Sequence, residues 1–257
     1  MKDLFDTSDE DIEQLISRNA LFIINHSGGK DSQAMLLHVA KRVPEKQILL
    51  IHAELPGVEW EGTIDHVKRY ASKYPLILCK AKKTFFDMVR HRGMFPSPQY
   101  RQCTSDLKRG PIEREIRHHL KKNPQFGGLV VNCMGLRAQE SANRARAEIL
   151  KLSKNNSKAG REWYDWLPIH DFLEHEVFDL IAEANQEPHW AYSQGMSRLS
   201  CCFCIMSSRS DLKIAAKFNP KLYNSYLNLE KEIGFTMFAN KEQPVSLETL
   251  AGVPAAA

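Results

Sequence analysis

The hexapeptide Ser27–Ser32 (SGGKDS) constrains this chain most, because of the segments on either side of it. The apolar run 21–25 before it is typical of a strand, and residues 34–43 after it are typical of a helix. A strand, a glycine turn and a helix start bring backbone N–H groups and the positive end of a helix dipole to one point, which suits a phosphate. The spacing is not that of a Walker A loop. The segment therefore predicts a nucleotide site, with an ordinary glycine turn as the alternative.

The rest of the first 150 residues alternates short apolar runs with helical patterns. Strand patterns cover 48–54, 75–79 and 128–133, and helical patterns cover 10–18, 31–43, 63–73, 85–92, 106–121 and 140–150. Strands that alternate with helices predict an α/β fold with a doubly wound, mostly parallel sheet. Ligands of such sheets lie beyond the carboxyl ends of the strands. The Ser27–Ser32 loop, Glu54, Cys103 and Arg137 each follow a strand pattern and are expected on that side.

The pattern changes after Leu150. Residues 151–161 are polar and rich in Asn, Ser and Lys, which predicts an exposed loop, and helical patterns return at 174–185, 208–217 and 220–233. We therefore expect two parts. Residues 1–150 form the α/β nucleotide-binding domain, and residues 151–257 form a helical C-terminal extension that carries a cysteine cluster and packs on the same core.

Composition narrows the class of protein. With 257 residues, 43% of them hydrophobic, the chain can bury a sizeable core. No apolar run approaches the ~20 residues that a membrane-spanning helix needs, so no membrane partner is expected. Six cysteines, three of them bunched at 201, 202 and 204, do not resemble a secreted disulfide framework. This favours a cytoplasmic protein with reduced thiols.

The charge of the chain is unevenly spread. The formal net charge is +4, but the segment Arg101–Arg161 contains 14 Lys or Arg and 5 Asp or Glu, a net charge of +9. Such asymmetry indicates a polyanionic partner, a nucleic acid or a nucleotide. Solvated helix faces such as Glu113–Arg117 explain part of the excess. The charge alone therefore leaves a nucleic-acid partner as one of two interpretations.

The cysteines predict a second site. Cys201 and Cys204 form a Cys-x-x-Cys pair, a spacing that directs two thiolates to one metal and is shared by zinc sites, iron–sulfur sites and redox dithiols. Cys103, after the third strand pattern, is the candidate for a further ligand. Cys79 and Cys133 lie within apolar strand patterns and are expected to be core thiols. Three unrelated thiols without a metal are the alternative.

Taken together, these segments resemble the sulfonucleotide reductases of the ATP pyrophosphatase superfamily (adenylylsulfate and phosphoadenylylsulfate reductases) and their relatives among DNA-phosphorothioation enzymes. The resemblance covers roughly residues 20 to 215. The matching segments, in chain order, are Ser27–Ser32, Cys103–Lys108 with Pro111, Gly135–Arg137 with Ser141 and Arg144, Pro168–Asp171 with Val177, and Gln194–Gly195 before Cys201–Cys204.

The resemblance implies a cofactor. The iron–sulfur members hold a [4Fe–4S] cluster with a tandem cysteine pair and a later Cys-x-x-Cys, which maps onto Cys103, Cys201 and Cys204 of this chain. Thr104 stands where the family has the second cysteine of the pair. Three ligands would leave one iron open for sulfide or substrate, unless Cys202 fills the place. Zinc is the alternative metal.

The resemblance also implies a chemistry. In this superfamily ATP adenylates an oxygen, pyrophosphate leaves, and AMP then becomes a leaving group. No cysteine follows Cys204, where the reductases carry an attacking C-terminal cysteine. We therefore expect ATP-dependent sulfur transfer, with nucleic acid as acceptor, a sulfur donor such as a cysteine desulfurase, and a homo-oligomer. A reductase with another electron source and a non-catalytic nucleotide-binding module are the alternatives.

Roles follow for the individual nucleotide-site residues. The expected set is Ser27, Gly28, Gly29, Lys30, Asp31, Ser32, Glu54, Arg137 and Arg144. Lys30, Asp31 and Arg137 are the expected catalytic residues, since Lys30 and Arg137, like Arg144, would neutralise phosphate charge. Asp31 and Glu54 would hold Mg²⁺ with the ATP. Glu54 could instead be a plain strand-end carboxylate, and Arg144 part of a solvated helix face.

Overall fold

The computed structural model describes residues 7–240 and 243–254. Its strands are β1 Leu21–Asn25, β2 Ile48–Glu54, β3 Leu76–Lys80, β4 Leu129–Cys133, β5 Leu150–Leu152, β6 Glu162–Trp166, β7 Phe238–Asn240 and β8 Gln243–Val245. Its α-helices are α1 Thr7–Ser17, α2 Lys30–Ala40, α3 Thr63–Tyr70, α4 Phe85–Arg92, α5 Gln102–Thr104, α6 Gly110–Lys122, α7 Ala142–Ala145, α8 Glu174–Glu183, α9 Arg209–Phe218, α10 Pro220–Ile233 and α11 Leu247–Ala251. Over the described ranges, no helix has the length and apolar character needed to cross a membrane.

Six strands form the main sheet, in the order β3-β2-β1-β4-β6-β5. β1 pairs in parallel with both β2 and β4, β4 pairs in parallel with β6, and β5 is antiparallel to β6. The chain runs outward from β1 to β3 and then returns to the other side of β1 at β4. This confirms the expected doubly wound, mostly parallel α/β sheet. Its topological switch point lies between β1 and β4, where the loops after these strands are expected to hold ligands.

The central strands are buried because their sequences are apolar on both faces. The first four residues of β1 and the first five of β2 are buried, as parallel strands covered on both sides require. α2 follows β1 and buries Ala34, Met35, Leu36 and Val39. Ala34 also packs against Val177 and Ile181 of α8. The loop between β1 and α2 is thereby held at both ends by buried elements.

The segment 140–161 differs from its prediction. The expected helix over 140–150 is a short turn, α7, followed by β5, and residues 153–161 connect β5 to β6. β6 has no apolar run in its sequence (EWYDW), yet it continues the main sheet. Its acidic side chain Asp165 accepts a hydrogen bond from Asn132 Nδ2 of β4 at 2.8 Å. This polar pair within the sheet is why an apolar pattern failed to find the strand.

The chain divides into two compact units, each assembled from separate segments. Unit 1 comprises Met1–His52, Asp65–Leu78 and Arg114–Pro188, and unit 2 comprises Ala53–Ile64, Cys79–Glu113 and His189–Ala257. The expected domain boundary at residue 150 lies inside a segment of unit 1, because β6 and α8, which follow residue 150, also belong to unit 1. The segment 151–257 is therefore not a purely helical extension. Unit 2 has an apolar core of its own, which includes Trp60, Phe203, Tyr223 and Tyr226.

Candidate functional site

The loop after β1 is braced by its own hydrogen bonds. Gly28 has φ +83°, a left-handed conformation that favours glycine. The backbone N–H of Ser27 donates to Ser32 Oγ at 3.1 Å, and Ser32 Oγ donates to the carbonyl oxygen of Gly29 at 2.8 Å. Ser32 thus closes the loop from the first turn of α2. The expected contact of Ser32 with a phosphate oxygen stays a prediction.

His26 supports the same loop and was missed in the sequence. Its Nδ1 accepts the backbone N–H of Gly28 at 3.2 Å, so its ring proton lies on Nε2. Complete burial lowers the pKa of His26 to about 3, with the charges of His52 and His66 as smaller causes. The imidazole is therefore neutral at physiological pH and keeps its acceptor. The only signal in the sequence was its position directly before the loop.

Lys30, Asp31 and Arg137 come together at the start of α2. Arg137 Nε donates to Asp31 Oδ1 at 2.6 Å, and Lys30 Nζ lies 3.7 Å from Asp31 Oδ2. Lys30 Nζ also pairs with Glu174 Oε1 at 3.1 Å. The Lys30 and Arg137 side chains are only 3% and 5% exposed. Asp31 therefore faces two buried cations here, and its expected role as a Mg²⁺ ligand stays a prediction.

The loop after β4 reaches this cluster because Gly135 has no side chain. A Cβ on Gly135 would lie 3.2 Å from the backbone carbon and oxygen of Asp31. Glu140 accepts the backbone N–H of Arg137 at 3.0 Å and forms an ion pair with Arg144. Arg144 is thereby joined to the cluster rather than lying on a solvated helix face. The two loops beside the switch point thus supply one array of charges.

Glu54, the other expected Mg²⁺ ligand, is the last residue of β2, the strand next to β1. It belongs to unit 2, whereas Lys30, Asp31, Arg137 and Arg144 belong to unit 1. Its metal role stays a prediction.

Unit 2 contains a cavity that all three predicted metal ligands line. The cavity is partly open to solvent. Its wall includes Cys103, Cys201 and Cys204, the cations Arg101, Lys108 and Arg198, and apolar side chains that include Leu55, Val58, Phe85, Leu107 and Phe203. Cys103 reaches it from α5, which continues through a π-helical turn, Ser105–Arg109, into α6. Such wide turns are frequent at functional sites.

Burial and neighbouring charges set the state of these thiols. Burial raises the pKa of Cys103, the Cys204 thiol adds to the rise, and Lys108 opposes it. Burial likewise raises the pKa of Cys201 to about 11, again against the effect of Lys108. Cys204 Sγ accepts the backbone N–H of Met206 at 3.5 Å. The metal-free Cys103 and Cys201 thiols are therefore mostly protonated at neutral pH, and metal binding to them would release protons.

The other cysteines are core residues. Cys79 is 4% exposed and Cys133 and Cys202 are completely buried, which confirms the expectation for the first two. Cys202 donates its backbone N–H to the carbonyl of Val58 at 2.8 Å, and burial raises its thiol pKa. No three His, Cys, Asp or Glu side chains within 7–240 and 243–254 are placed to hold a single metal ion.

Two features of unit 2 suit an iron–sulfur centre. Three thiols are soft ligands, which favour iron–sulfur centres or zinc over magnesium. The Tyr226 hydroxyl, behind this wall, is fully buried without a hydrogen-bond partner among the described residues. An unsatisfied buried hydroxyl costs about 1–3 kcal/mol, so a bound group that accepts a hydrogen bond from it would offset that cost. The residues present therefore fit the group that the resemblance implies.

Comparisons with known proteins identify the family. A family model, the phosphoadenosine phosphosulfate reductase domain, matches residues 22–207. The chain belongs to this family. The match confirms the resemblance seen in the motifs, and it makes the chain a member of a nucleotide-binding, sulfonucleotide-related enzyme family. The matched range contains Ser27–Ser32, Arg137 and all three cavity cysteines.

Two curated relatives of this chain are longer than the chain. An uncharacterized protein of Methanocaldococcus jannaschii is 25% identical over 234 residues, which are 87% of this chain and 51% of that protein. An uncharacterized 37.8 kDa protein of Escherichia phage 186 is 29% identical over 137 residues, covering 53% of this chain and 39% of that protein. The chain thus spans about half or less of the length of these curated relatives.

Two of the solved structures that match part of the chain do so at low identity and with TM-scores below 0.5. The phosphoadenylyl-sulfate reductase of Candida auris is 15% identical, with a TM-score of 0.47, over 70% of this chain and 80% of that one. The FMN adenylyltransferase of Candida glabrata in complex with ATP is 13% identical, with a TM-score of 0.43, over 72% of this chain and 53% of that one.

Proposed function

We propose that this protein transfers sulfur at the expense of ATP, by adenylating an acceptor oxygen and then exchanging that oxygen for sulfur. The observation that carries the proposal is the buried charge array of Lys30, Asp31 and Arg137 at the start of α2, beside the braced Ser27–Ser32 loop. The cavity with three thiols and three cations supports the sulfur half of the reaction. Both features lie within the family match.

The first step requires a site for the pyrophosphate that leaves. The acceptor oxygen attacks the α-phosphorus of ATP, the bond from that phosphorus to the bridging oxygen breaks, and pyrophosphate departs with the electron pair. The N-terminus of α2 and Lys30 would stabilise the departing charge. Arg137, held by Asp31 with its planar fork, would bind a further phosphate oxygen. Mg²⁺ would share this charge, with Asp31 as its candidate ligand on unit 1.

The second step requires a sulfur nucleophile. Hydrosulfide, released when a thiol reductant reduces the persulfide of a sulfur donor such as a cysteine desulfurase, would attack the adenylated position, and the bond to the AMP oxygen would break, with AMP as the leaving group. Cys103, Cys201 and Cys204 would hold a [4Fe–4S] cluster, which when bound supplies a soft iron site for sulfide. Arg101, Lys108 and Arg198 of the same wall would attract the anionic reactants.

A pyrophosphate assay tests the proposal. The anaerobically purified protein, with ATP, Mg²⁺ and sulfide, should release pyrophosphate and AMP in equal amounts when an acceptor nucleic acid is added. A phosphoadenylylsulfate reductase would instead release sulfite from the sulfonucleotide without using ATP. A non-catalytic module would bind ATP without turnover. Either of these results would replace the sulfur-transfer proposal.

The hairpin β5–β6 is the candidate contact for a nucleic-acid acceptor. Its connection and edge carry the exposed side chains Lys151, Lys154 and Lys158. Each phosphate contact contributes about 0.9 to the slope of log affinity against log salt for duplex DNA. Replacing the three lysines by Gln should therefore lower that slope by about 2–3 and weaken binding at low salt, measured by fluorescence anisotropy.

A matched control removes the same charge elsewhere on unit 1. Lys41, Lys46 and Lys73 are equally exposed, and their triple Gln variant should keep the wild-type slope. Equal slopes for both triple variants would contradict a nucleic-acid contact at this hairpin.

A further inference from the structure

Tyr226 of α10 has a hydroxyl without a protein partner. The side chain is 0% exposed, and its Oη makes no hydrogen bond within the described ranges. Tyr223, one turn earlier on the same helix, is 1% exposed, but its hydroxyl donates to the carbonyl of Val253 at 2.5 Å. The two tyrosines thus share a helix and a core and differ in whether the hydroxyl is satisfied. Buried polar groups without a partner are rare and mark a place where a ligand can bond.

The ring of Tyr226 lies directly behind the cysteine cavity. Its centroid is 5.1 Å from that of Phe203 and 5.6 Å from that of Phe85, and both phenylalanines line the cavity. Phe203 stands between Cys202 and Cys204 in the Cys-x-x-Cys segment. Tyr226 is therefore packed against the segment that supplies two of the three candidate ligands.

Burial and the neighbouring cysteine thiols both affect the pKa of the Tyr226 hydroxyl. Burial raises the pKa of Tyr226 well above its usual value, and the Cys201, Cys202, Cys204 and Cys103 thiols raise it further. The hydroxyl consequently keeps its proton at physiological pH and is available as a hydrogen-bond donor. Three of these four cysteines line the cavity, and Cys202 lies in the apolar core of unit 2.

We propose that the Tyr226 hydroxyl donates a hydrogen bond to a sulfur of the iron–sulfur centre held by Cys103, Cys201 and Cys204, and thereby raises the reduction potential of that centre. The inference rests on the proposed function, since it needs the cluster. Reduction adds negative charge to the sulfurs, so a donor stabilises the reduced centre more than the oxidised one. Partners of this kind tune a metal site without being ligands.

The test compares Tyr226→Phe with Tyr223→Phe in the reconstituted full chain. Each change removes one hydroxyl and keeps the ring. Tyr226→Phe should make the reduction potential more negative, with at least a tenfold lower ratio of reduced to oxidised centre at a fixed potential, which is 59 mV for one electron. Tyr223→Phe should keep the wild-type potential. The potential is read from visible absorbance or electron paramagnetic resonance during a redox titration.

Urea unfolding of the metal-free proteins provides the second measurement. Tyr226→Phe should be at least as stable as wild type, because it removes an unsatisfied hydroxyl, whereas Tyr223→Phe should be less stable, because it breaks a bond that is made. Equal potentials in wild type and Tyr226→Phe would overturn this inference and leave the proposed function standing. A wild-type chain that binds no iron and sulfide would overturn the proposed cofactor and this inference together.

Discussion

Replacing Lys30 by Met should weaken ATP binding by roughly 10- to 100-fold and reduce pyrophosphate release to background. A charge-assisted bond to a phosphate contributes about 1.5–3 kcal/mol, and each 1.4 kcal/mol is a factor of ten in affinity. Met is one atom shorter than Lys and keeps most of its packing near Phe178, whose ring lies 5.7 Å from Lys30 Nζ. Isothermal titration calorimetry with ATP and Mg²⁺ measures the loss.

The fold should survive this change. Asp31 keeps its 2.6 Å pair with Arg137, and Glu174, whose side chain is 52% exposed, can be solvated by water. Lys41→Met is the matched control, because Lys41 caps the opposite end of α2 and is exposed. It should bind ATP as wild type does. An unchanged ATP affinity in Lys30→Met would place the phosphates elsewhere.

Single Ala substitutions at Cys103, Cys201 and Cys204 should each remove the iron–sulfur centre. The proposed [4Fe–4S] site has three protein ligands, so each substitution leaves only two. The two that remain are either the pair Cys201 and Cys204, or Cys103 with one of them. Anaerobic protein should contain about four iron and four labile sulfide per chain in the wild type, and neither above background in the variants. Metal analysis and the brown absorbance measure this loss.

The remaining cysteines provide the controls. Cys79→Ala and Cys133→Ala alter buried thiols of the core and should keep the iron and the colour. Cys202→Ala should keep them too, since Cys202 lies in the apolar core. If it loses them, a four-cysteine site replaces the three-cysteine one. A colourless anaerobic preparation with about one zinc and no labile sulfide would refute the cluster.

The sequence predicted the fold correctly where a local pattern has one structural meaning. The glycine turn between an apolar strand and a helix start predicted the loop after β1, and alternation of strands with helices predicted a doubly wound sheet. The order of motifs brought Arg137 to the same expected site as Lys30, which the 2.6 Å bond to Asp31 supports. The family match then confirmed the resemblance.

The sequence did not predict the roles of residues that depend on a hydrogen-bond partner elsewhere in the fold. His26 is an ordinary histidine in the sequence, and only burial and the N–H of Gly28 make it a brace for the loop. The strand β6 was hidden because Asp165 pairs with Asn132 inside the sheet. Tyr226 and Tyr223 look alike in the helical pattern, and only the acceptor Val253 separates them. Long-range pairing of this kind leaves no local signal.

The interleaved segments of the two units set an order of events during synthesis on the ribosome. The last segment of unit 1, Arg114–Pro188, is translated before the last segment of unit 2, His189–Ala257. At about 5–20 residues per second, segments 53–64 and 79–113 must wait roughly 4–14 s for those partners after unit 1 is complete. Cys103 is in a waiting segment and Cys201 is in the late one, so these two proposed cluster ligands come together only after the late segment has been made. A nascent chain from which residues 1–188 have left the ribosome would contain every segment of unit 1, including the Ser27–Ser32 loop.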